Sequence, residues 1–592
     1  MATAGADGAV RLTNVESGET REVDRSLHDA PRDLSWSPDS RWLAWSHACA
    51  NDPDSVGHVR QIRLADVATG TMVEATPVRF ADSEPVWTSD GCYLAFLSRR
   101  VFDPVYDQVR FDLGFPAATR PYLLRLTAAT PVPLGPDPAG HPVADDASTP
   151  EGPVTVTVTV DTDGLAERLV ELPVPAGRLS GLLATRRGVV WLEHPPTGEL
   201  GEGRVDPDKH PKAKLQHLDL RTGTVDTLVD AVDEAAVTGD GERLVVRCDG
   251  SVKVLPADRK AAEDGHETVE VDLARIILTV EPAAEWPQMF EEAARLQRHL
   301  YWVEDMGGLD WDAVVARYRP LAGRVSTRDE LTDLIWELHG ELGTSHAYVA
   351  PPVAPPPPQR RQGYLGVDLT VDGGLWRIAA IPTSEPSVRR ARSPLGAAGA
   401  RVGDIVESVG GRPVDPASGP GPLLVGAANR IVEVGLRSED GGAATVAITA
   451  LPDEHDLRYH AWVAANRGVV RERAGGRLGY VHLPNMMSLG WAELQRDLRL
   501  ESGRDGLIVD LRHNGGGHTS ELVLERLSSR VTAWDKPRGF EPSRYPLDGP
   551  RGPMVAVIDQ AAGSDGDIAS EGFRQRRLGP LVGSRTWGGV VG

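Results

Sequence analysis

Met554-Val555-Ala556-Val557-Ile558-Asp559-Gln560-Ala561-Ala562-Gly563-Ser564-Asp565-Gly566-Asp567 decides how the last third of the chain folds. Its first five residues form an apolar run of strand length. The stretch from Ala561 is small, polar and Gly-flanked, and the segment from Ile568 to Arg577 that follows can start a helix. The pattern is a buried strand, a tight turn and a helix. A serine at such a turn has its hydroxyl exposed as a nucleophile, with N–H groups nearby to hold an oxyanion. The competing reading is an ordinary Asp/Gly turn with Ser564 or Asp565 as the helix N-cap. The remaining chain must supply a base, an oxyanion hole and a substrate path if the first reading is right.

Upstream, Leu478-Gly479-Tyr480-Val481-His482-Leu483-Pro484 reads as a strand and its exit, and Gly490 to Leu500 as a helix. Gly506-Leu507-Ile508-Val509-Asp510-Leu511-Arg512-His513-Asn514-Gly515-Gly516-Gly517-His518 is a strand running into a glycine loop. The glycines let backbone N–H groups approach a developing negative charge, and Asp510 with Arg512 is read as pinning the loop. His513 and His518 lack acidic or cysteine partners at ligand spacing, so no metal and no cofactor are expected.

A base is offered much earlier. Apolar residues at helical spacing mark helices from Glu285 to Trp302, around Trp311 to Tyr318, and from a cap at Ser326 or Thr327 to Gly340 or Gly343. Gly343-Thr344-Ser345-His346-Ala347-Tyr348-Val349 follows, placing a histidine beside a hydroxyl just past a helix end. The alternation after it suggests that His346 begins a strand. Six prolines between Ala350 and Gln359 read as an extended linker. The next 90 or so residues contain Gly363-Tyr364-Leu365-Gly366, Ser393-Pro394-Leu395-Gly396 and Val402-Gly403-Asp404-Ile405-Val406. They resemble a PDZ domain, with Gly363 to Gly366 as the carboxylate loop of a peptide groove that accepts an added strand. A PDZ shape serving only as a spacer is the alternative.

The first half is a degenerate repeat. Leu34 to Ser46, Pro85 to Ser98, Leu179 to Glu193 and Ala236 to Arg247 are hairpin patterns with alternating apolar residues, the clearer copies turning at an aspartate. Second hairpins lie between them at Gln61 to Val73 and Gln216 to Leu228. Two hairpins per roughly 50 residues are the mark of a β-propeller blade. There is room for five or six blades, which leads us to expect that part of the propeller is missing at the N-terminus. Arg99-Arg100 reads as a solvated loop pair, with a carboxylate clasp as the alternative.

The whole chain has 592 residues, 63 basic and 85 acidic, for a net charge of −22. That balance argues against nucleic acid as a partner. Cys49, Cys92 and Cys248 are too scattered for a zinc pattern and suit a reducing compartment. No signal pattern and no long apolar run occur, so a cytoplasmic protein with no membrane span is expected.

Three motifs together carry a resemblance to the tricorn core proteases, of the same clan as the C-terminal-processing peptidases. They are Gly343-Thr344-Ser345-His346-Ala347-Tyr348, Asp510-Leu511-Arg512-His513-Asn514-Gly515-Gly516-Gly517 and Gly563-Ser564-Asp565-Gly566-Asp567. The resemblance implies a multidomain fold: an all-β propeller followed by an α/β (α+β) split serine-peptidase core with an inserted PDZ domain. The divisions are propeller 1–275, helical part of the core 276–350, linker 351–360, PDZ-like domain 361–452 and α/β part of the core 453–592. It implies Ser564 as nucleophile, His346 as general base and Ser345 as the group orienting it. N–H groups of Asp565 and the glycine loop, Gly517 or Gly516, would form the oxyanion hole. Asp535 is the candidate acidic residue for substrate specificity, against a loop aspartate paired with Lys536 or Arg538. Peptide substrates, a homohexamer and downstream aminopeptidases as partners are implied in the same way. No Walker-type loop is present, so the activity is expected to be ATP-independent.

The resemblance also has departures. The family's first propeller is absent, and so is its tetrad glutamate, expected beyond Gly592. Truncation at both ends and weak or no activity are therefore expected, since losing an orienting carboxylate costs about four orders of magnitude in the best-studied triad. Two alternatives stand beside this reading. A C-terminal-processing peptidase would need a lysine base, and no lysine lies between Ser564 and Gly592. A propeller-plus-PDZ scaffold with an inactive centre would bind peptides without cutting them.

Overall fold

The computed structural model describes the chain apart from residues 50–58, 108, 110–111, 135–155, 196–211, 263–265, 351–359 and 591–592. The expected proline linker, 351–360, thus lies outside the described residues except for Arg360. The chain forms two compact units, one reaching Thr279 and the other beginning at Val280.

The first unit is all β. A three-stranded meander, Ala2–Ala4, Ala9–Thr13 and Thr20–Arg25, precedes four successive sets of four strands among the described residues, the first two joined into one eight-stranded sheet by the pairing of Arg60 with Ala81. The first of these runs Arg32–Trp36, Trp42–Cys49, Val59–Asp66 and Met72–Glu74, and the last ends on Val269–Val271. Three of the four repeated hairpins share one turn device. Ser37, Thr88 and Thr238 each donate a hydroxyl to an aspartate two residues on, at 2.6 Å in all three. Those aspartates, Asp39, Asp90 and Asp240, also accept the N–H of Arg41, Cys92 and Glu242. The side chain thus replaces a turn hydrogen bond and fixes the register of the strands it joins. Arg100 is not the solvated residue expected. It reaches the fully buried Asp82 at 2.8 Å and packs among Phe80, Phe96 and Tyr122, so burial without a partner is avoided on both sides. Its neighbour Arg99 is exposed.

The second unit opens with three helices, Pro282–Leu300, Trp311–Ala322 and Arg328–Gly340. Thr327 caps the third by accepting the N–H of Glu330. Trp311 is buried at their centre and donates its indole N–H to Ala294 O at 3.1 Å. A five-strand sheet path, with one short added strand, covers 368–449 around Leu365, Ile378, Leu395, Val406 and Val434. Its edge strand is Asp368–Asp372.

The remainder is a parallel sheet in the order Leu478–His482, Gly506–Asp510, Met554–Ile558, Leu581–Gly583. Helices Ser488–Glu501, Ser520–Ser528 and Asp565–Gln575 follow its first three strands. Val481, Val509 and Ala556 on the strands pack with Leu494, Leu524 and Phe573 on the helices. In such a sheet, the loops leaving the carboxyl ends of the strands are where chemistry collects.

Candidate active site

Two of those loops meet at Ser564. The strand Met554–Ile558 ends, and Asp559 accepts the N–H groups of Ala561, Ala562 and His513, joining the turn to the glycine loop. Ser564 follows at φ 54°, ψ −123°, a conformation costly for a residue with a Cβ. Its side chain makes no cap, although it sits at the N-cap position of Asp565–Gln575. The helix starts at Asp565, earlier than the segment from Ile568 that the sequence suggested. Asp565 does not cap either. Its carboxylate accepts the N–H of Ser520 at 2.9 Å and the Ser520 hydroxyl. The ordinary-turn reading therefore fails: both candidate caps are committed elsewhere.

Ser564 Oγ lies 3.0 Å from His346 Nε2, across 218 residues of sequence. Ser345 Oγ lies 2.7 Å from His346 Nδ1 and donates to the Gly589 carbonyl. His346 does not begin a strand, as its alternation suggested. It sits in a loop at φ 63°, and this left-handed turn aims the ring at Ser564. Trp587 and Tyr348 stand around the ring at centroid distances of 6.4 and 6.0 Å.

The glycine loop lies against the turn. Asp510 is fully buried and takes Arg512 Nε at 2.9 Å, Arg512 Nη2 at 2.6 Å and the Tyr480 hydroxyl at 2.7 Å. Burial alone would raise the Asp510 carboxyl, but these bonds outweigh it and hold the group below the ordinary range. The expected pinning of the loop by Asp510 and Arg512 is what the structure has. Asn514, also fully buried, donates to Leu483 O and accepts the N–H of Gly516. Its carbonyl accepts the N–H of Gly563, which locks the loop to the nucleophile turn at 3.0 Å. A Cβ on Gly516 would stand 2.7 Å from Ser564 Cβ and 3.2 Å from the Asp565 nitrogen, so only glycine fits there. Gly517, at φ 146°, lies beside Met486. Among the described residues, the N–H groups of Asp565 and Gly517 donate to no protein acceptor, as oxyanion donors should.

Sequence reasoning assigned no role to Asn514, Asp559 or Asp567, although all three lie inside or beside the quoted motifs. A buried Asn between a strand and a glycine run was the available signal. Asp535 stands on the exposed hairpin Ala533–Asp535 with Ser543–Tyr545, and no described bond ties it to Ser564 or His346. In the PDZ-like domain, Gly363 donates to Leu424 O, and Tyr364 exchanges backbone bonds with Leu451. Leu365 is buried, and Gly366 donates its N–H to the Glu454 carboxylate at 2.9 Å.

Comparison with known proteins follows this layout. Four family descriptions match in series: "Tricorn protease second beta propeller domain" over residues 2–258, "Tricorn protease C1 domain" over 282–340, "Tricorn protease PDZ domain" over 363–453 and "Peptidase family S41" over 477–592. "Tricorn protease homolog 1" of Streptomyces coelicolor is 50% identical over 601 residues, covering 100% of this chain and 56% of that protein. "Tricorn protease" of Thermoplasma volcanium is 31% identical over 588 residues, covering 98% and 55%. The solved "Crystal structure of the tricorn protease" superposes with a TM-score of 0.87 at 28% identity, covering 100% of this chain and 56% of that one. The chain thus spans about half the length of the curated relatives it matches.

Proposed function

Because the chain belongs to the tricorn protease family, we propose that it is the catalytic portion of a serine endopeptidase that cuts short peptides without ATP. The observation that carries this reading is the 3.0 Å approach of His346 Nε2 to Ser564 Oγ on a strained strand-to-helix turn. Ser564 Oγ attacks the scissile carbonyl carbon while its proton passes to His346 Nε2. The carbonyl oxygen, now negative, is held by the N–H groups of Asp565 and Gly517 at the positive end of the helix Asp565–Gln575. Gly516 permits this by its lack of a side chain. The C–N bond then breaks, the amine leaves with the proton from His346, and the Ser564 ester remains. Water enters and gives a proton to His346 as its oxygen adds to the ester carbon; the bond from that carbon to Ser564 Oγ then breaks, Oγ takes the proton back from His346, and the acid leaves. Ser345 holds the imidazole throughout.

Asp535 is retained as the acidic selector for a basic residue before the cut, on the strength of the resemblance. The cytoplasm, a homo-oligomer and downstream aminopeptidases belong to the same proposal, as does the division of the core around a PDZ insertion. Hydrolysis of short fluorogenic peptides by the purified chain, compared with Ser564→Ala, tests it. Ser564→Ala is expected to abolish hydrolysis, and Asp535→Asn to reduce cleavage after arginine more than after leucine. Hydrolysis unchanged in Ser564→Ala would refute the assignment.

A further inference from the structure

Asp567 takes no part in the reaction above, yet it holds the segment on which the base depends. Its side chain is buried in the first turn of Asp565–Gln575. One carboxylate oxygen accepts the N–H of Gly588 at 2.8 Å, and the other accepts that of Gly589 at 3.3 Å. The Gly589 carbonyl in turn accepts the Ser345 hydroxyl proton. With that proton directed at Gly589, Ser345 Oγ meets His346 Nδ1 as an acceptor, so Nδ1 carries the ring proton. Nε2 then presents its lone pair to Ser564 Oγ, the tautomer a general base needs. The segment is tied down again where the Trp587 N–H donates to Ala562 O at 2.9 Å.

We infer that Asp567 is a positioning residue that fixes the tautomer of His346 through the Gly588–Gly589 backbone and Ser345. The inference rests on the reading of Ser564 and His346 as nucleophile and base. The test is the rate at which a fluorophosphonate acylates Ser564, together with ring-¹⁵N NMR of His346 assigned by difference with His346→Gln. Asp567→Ala is expected to slow acylation about 100-fold and mix the two tautomers. Asp567→Asn keeps one acceptor for Gly588 and is expected to lie between Ala and the original. Acylation at the original rate with Nδ1–H unchanged in Asp567→Ala would overturn the inference and leave the nucleophile standing. Should Asp567→Ala not fold, an Asn variant indistinguishable from the original overturns it equally. An original chain that is not acylated at Ser564 removes the site reading, and this inference with it.

A second observation stands apart from catalysis. The loop Gly363–Gly366 precedes the edge strand Asp368–Asp372, where a PDZ domain takes a peptide with its terminal carboxylate on the loop N–H groups. Here a carboxylate is already in place. Glu454 Oε1 accepts the Gly366 N–H at 2.9 Å, while Arg458 holds Oε2 through Nε at 3.1 Å and Nη2 at 2.8 Å. Arg458 also reaches Asp368 at 2.5 Å, so the clasp spans the loop and the edge strand. Glu454 precedes the helix His455–Arg473, whose positive end favours a carboxylate there.

We propose that Glu454 stands in for a peptide's C-terminal carboxylate and shuts the groove against free C-termini, by occupying Gly366 and by like-charge repulsion. The probe is a fluorescein-labelled penta-alanyl-valine, as free acid and as amide, titrated into the full chain carrying Ser564→Ala. The parent is expected to bind acid and amide alike. Adding Glu454→Ala is expected to make the acid about tenfold tighter than the amide. Glu454→Gln, which keeps an acceptor for Gly366, is expected to weaken the closure less. A parent that already prefers the acid, or a folded Glu454→Ala that does not, overturns the proposal. If Glu454→Ala fails to fold, Arg458→Leu, which frees the clasp, must show the acid preference for the proposal to stand.

Discussion

At the residue scale, function depends on two left-handed backbone positions that sequence patterns do not advertise. Ser564 at φ 54° and His346 at φ 63° each place a side chain where a regular strand or helix would not. His346→Gln should remove the turnover the chain shows while substrate affinity stays close to the original, read as kcat against KM. Arg512 serves differently. It compensates the buried Asp510 carboxylate, and its guanidinium lies 5.4 Å from the Trp462 ring centroid. Arg512→Leu should destabilise the chain by about 2 kcal/mol, measured by urea unfolding, because Asp510 then keeps only the Tyr480 hydroxyl and the backbone N–H of residue 512, with no charge to offset its own. A midpoint unchanged by Arg512→Leu would mean that Asn514 and Asp559 pin the loop without help from Arg512.

At the element scale, the nucleophile turn and the glycine loop act as one piece. Gly563 donates to Asn514 O, and Gly516 packs on Ser564 with no room for a methyl group. Gly516→Ala is expected to abolish fluorophosphonate labelling of Ser564 while the rest of the sheet remains folded by circular dichroism. Thr327→Ala should cost about 1 kcal/mol in thermal unfolding, the worth of one helix cap. This is also where the limits of reading a sequence become physical. The strand, turn and helix around Ser564, the glycine loop and the propeller hairpins were legible because each is set by local periodicity and turn chemistry. The orientation of His346 was not, since its ring is aimed by a residue 218 positions away and by a backbone angle that alternation cannot encode. Nor was Arg100, whose partner Asp82 is brought near only by pairing of Ala81–Trp87 with Tyr93–Arg99. Asp567 sits in the quoted motif, but its glycine partners lie 21 and 22 residues on.

At the scale of the whole molecule, both units bury neutral imidazoles. Burial pushes His194 and His217 in the first unit, and His339 and His482 in the second, below the ordinary value of 6.5. Unfolding restores that value, so below pH about 6.5 the unfolded chain binds protons that the folded chain refuses. Stability from this source is present above that pH and falls as acid is added. The carboxylates act in a lower window. Burial would raise Asp24, but His47 close beside it and the bonds from Arg63 outweigh it and hold the group at about 2. Its contribution is present above the ordinary 3.8 and is lost as pH drops from there toward 2. Thermal midpoints measured from pH 8 to 3 should therefore hold level, decline from about pH 6.5 and decline again below about pH 4. A midpoint that rises between pH 7 and 5 would contradict the burial of these histidines as neutral rings.

The most direct test of the central claim, that His346 activates Ser564 as a nucleophile, is mass spectrometry of the chain after fluorophosphonate treatment. The account predicts one adduct, on the peptide containing Ser564, absent in Ser564→Ala and strongly slowed in His346→Gln. An adduct on another residue, or labelling of Ser564 at the same rate without His346, would contradict it.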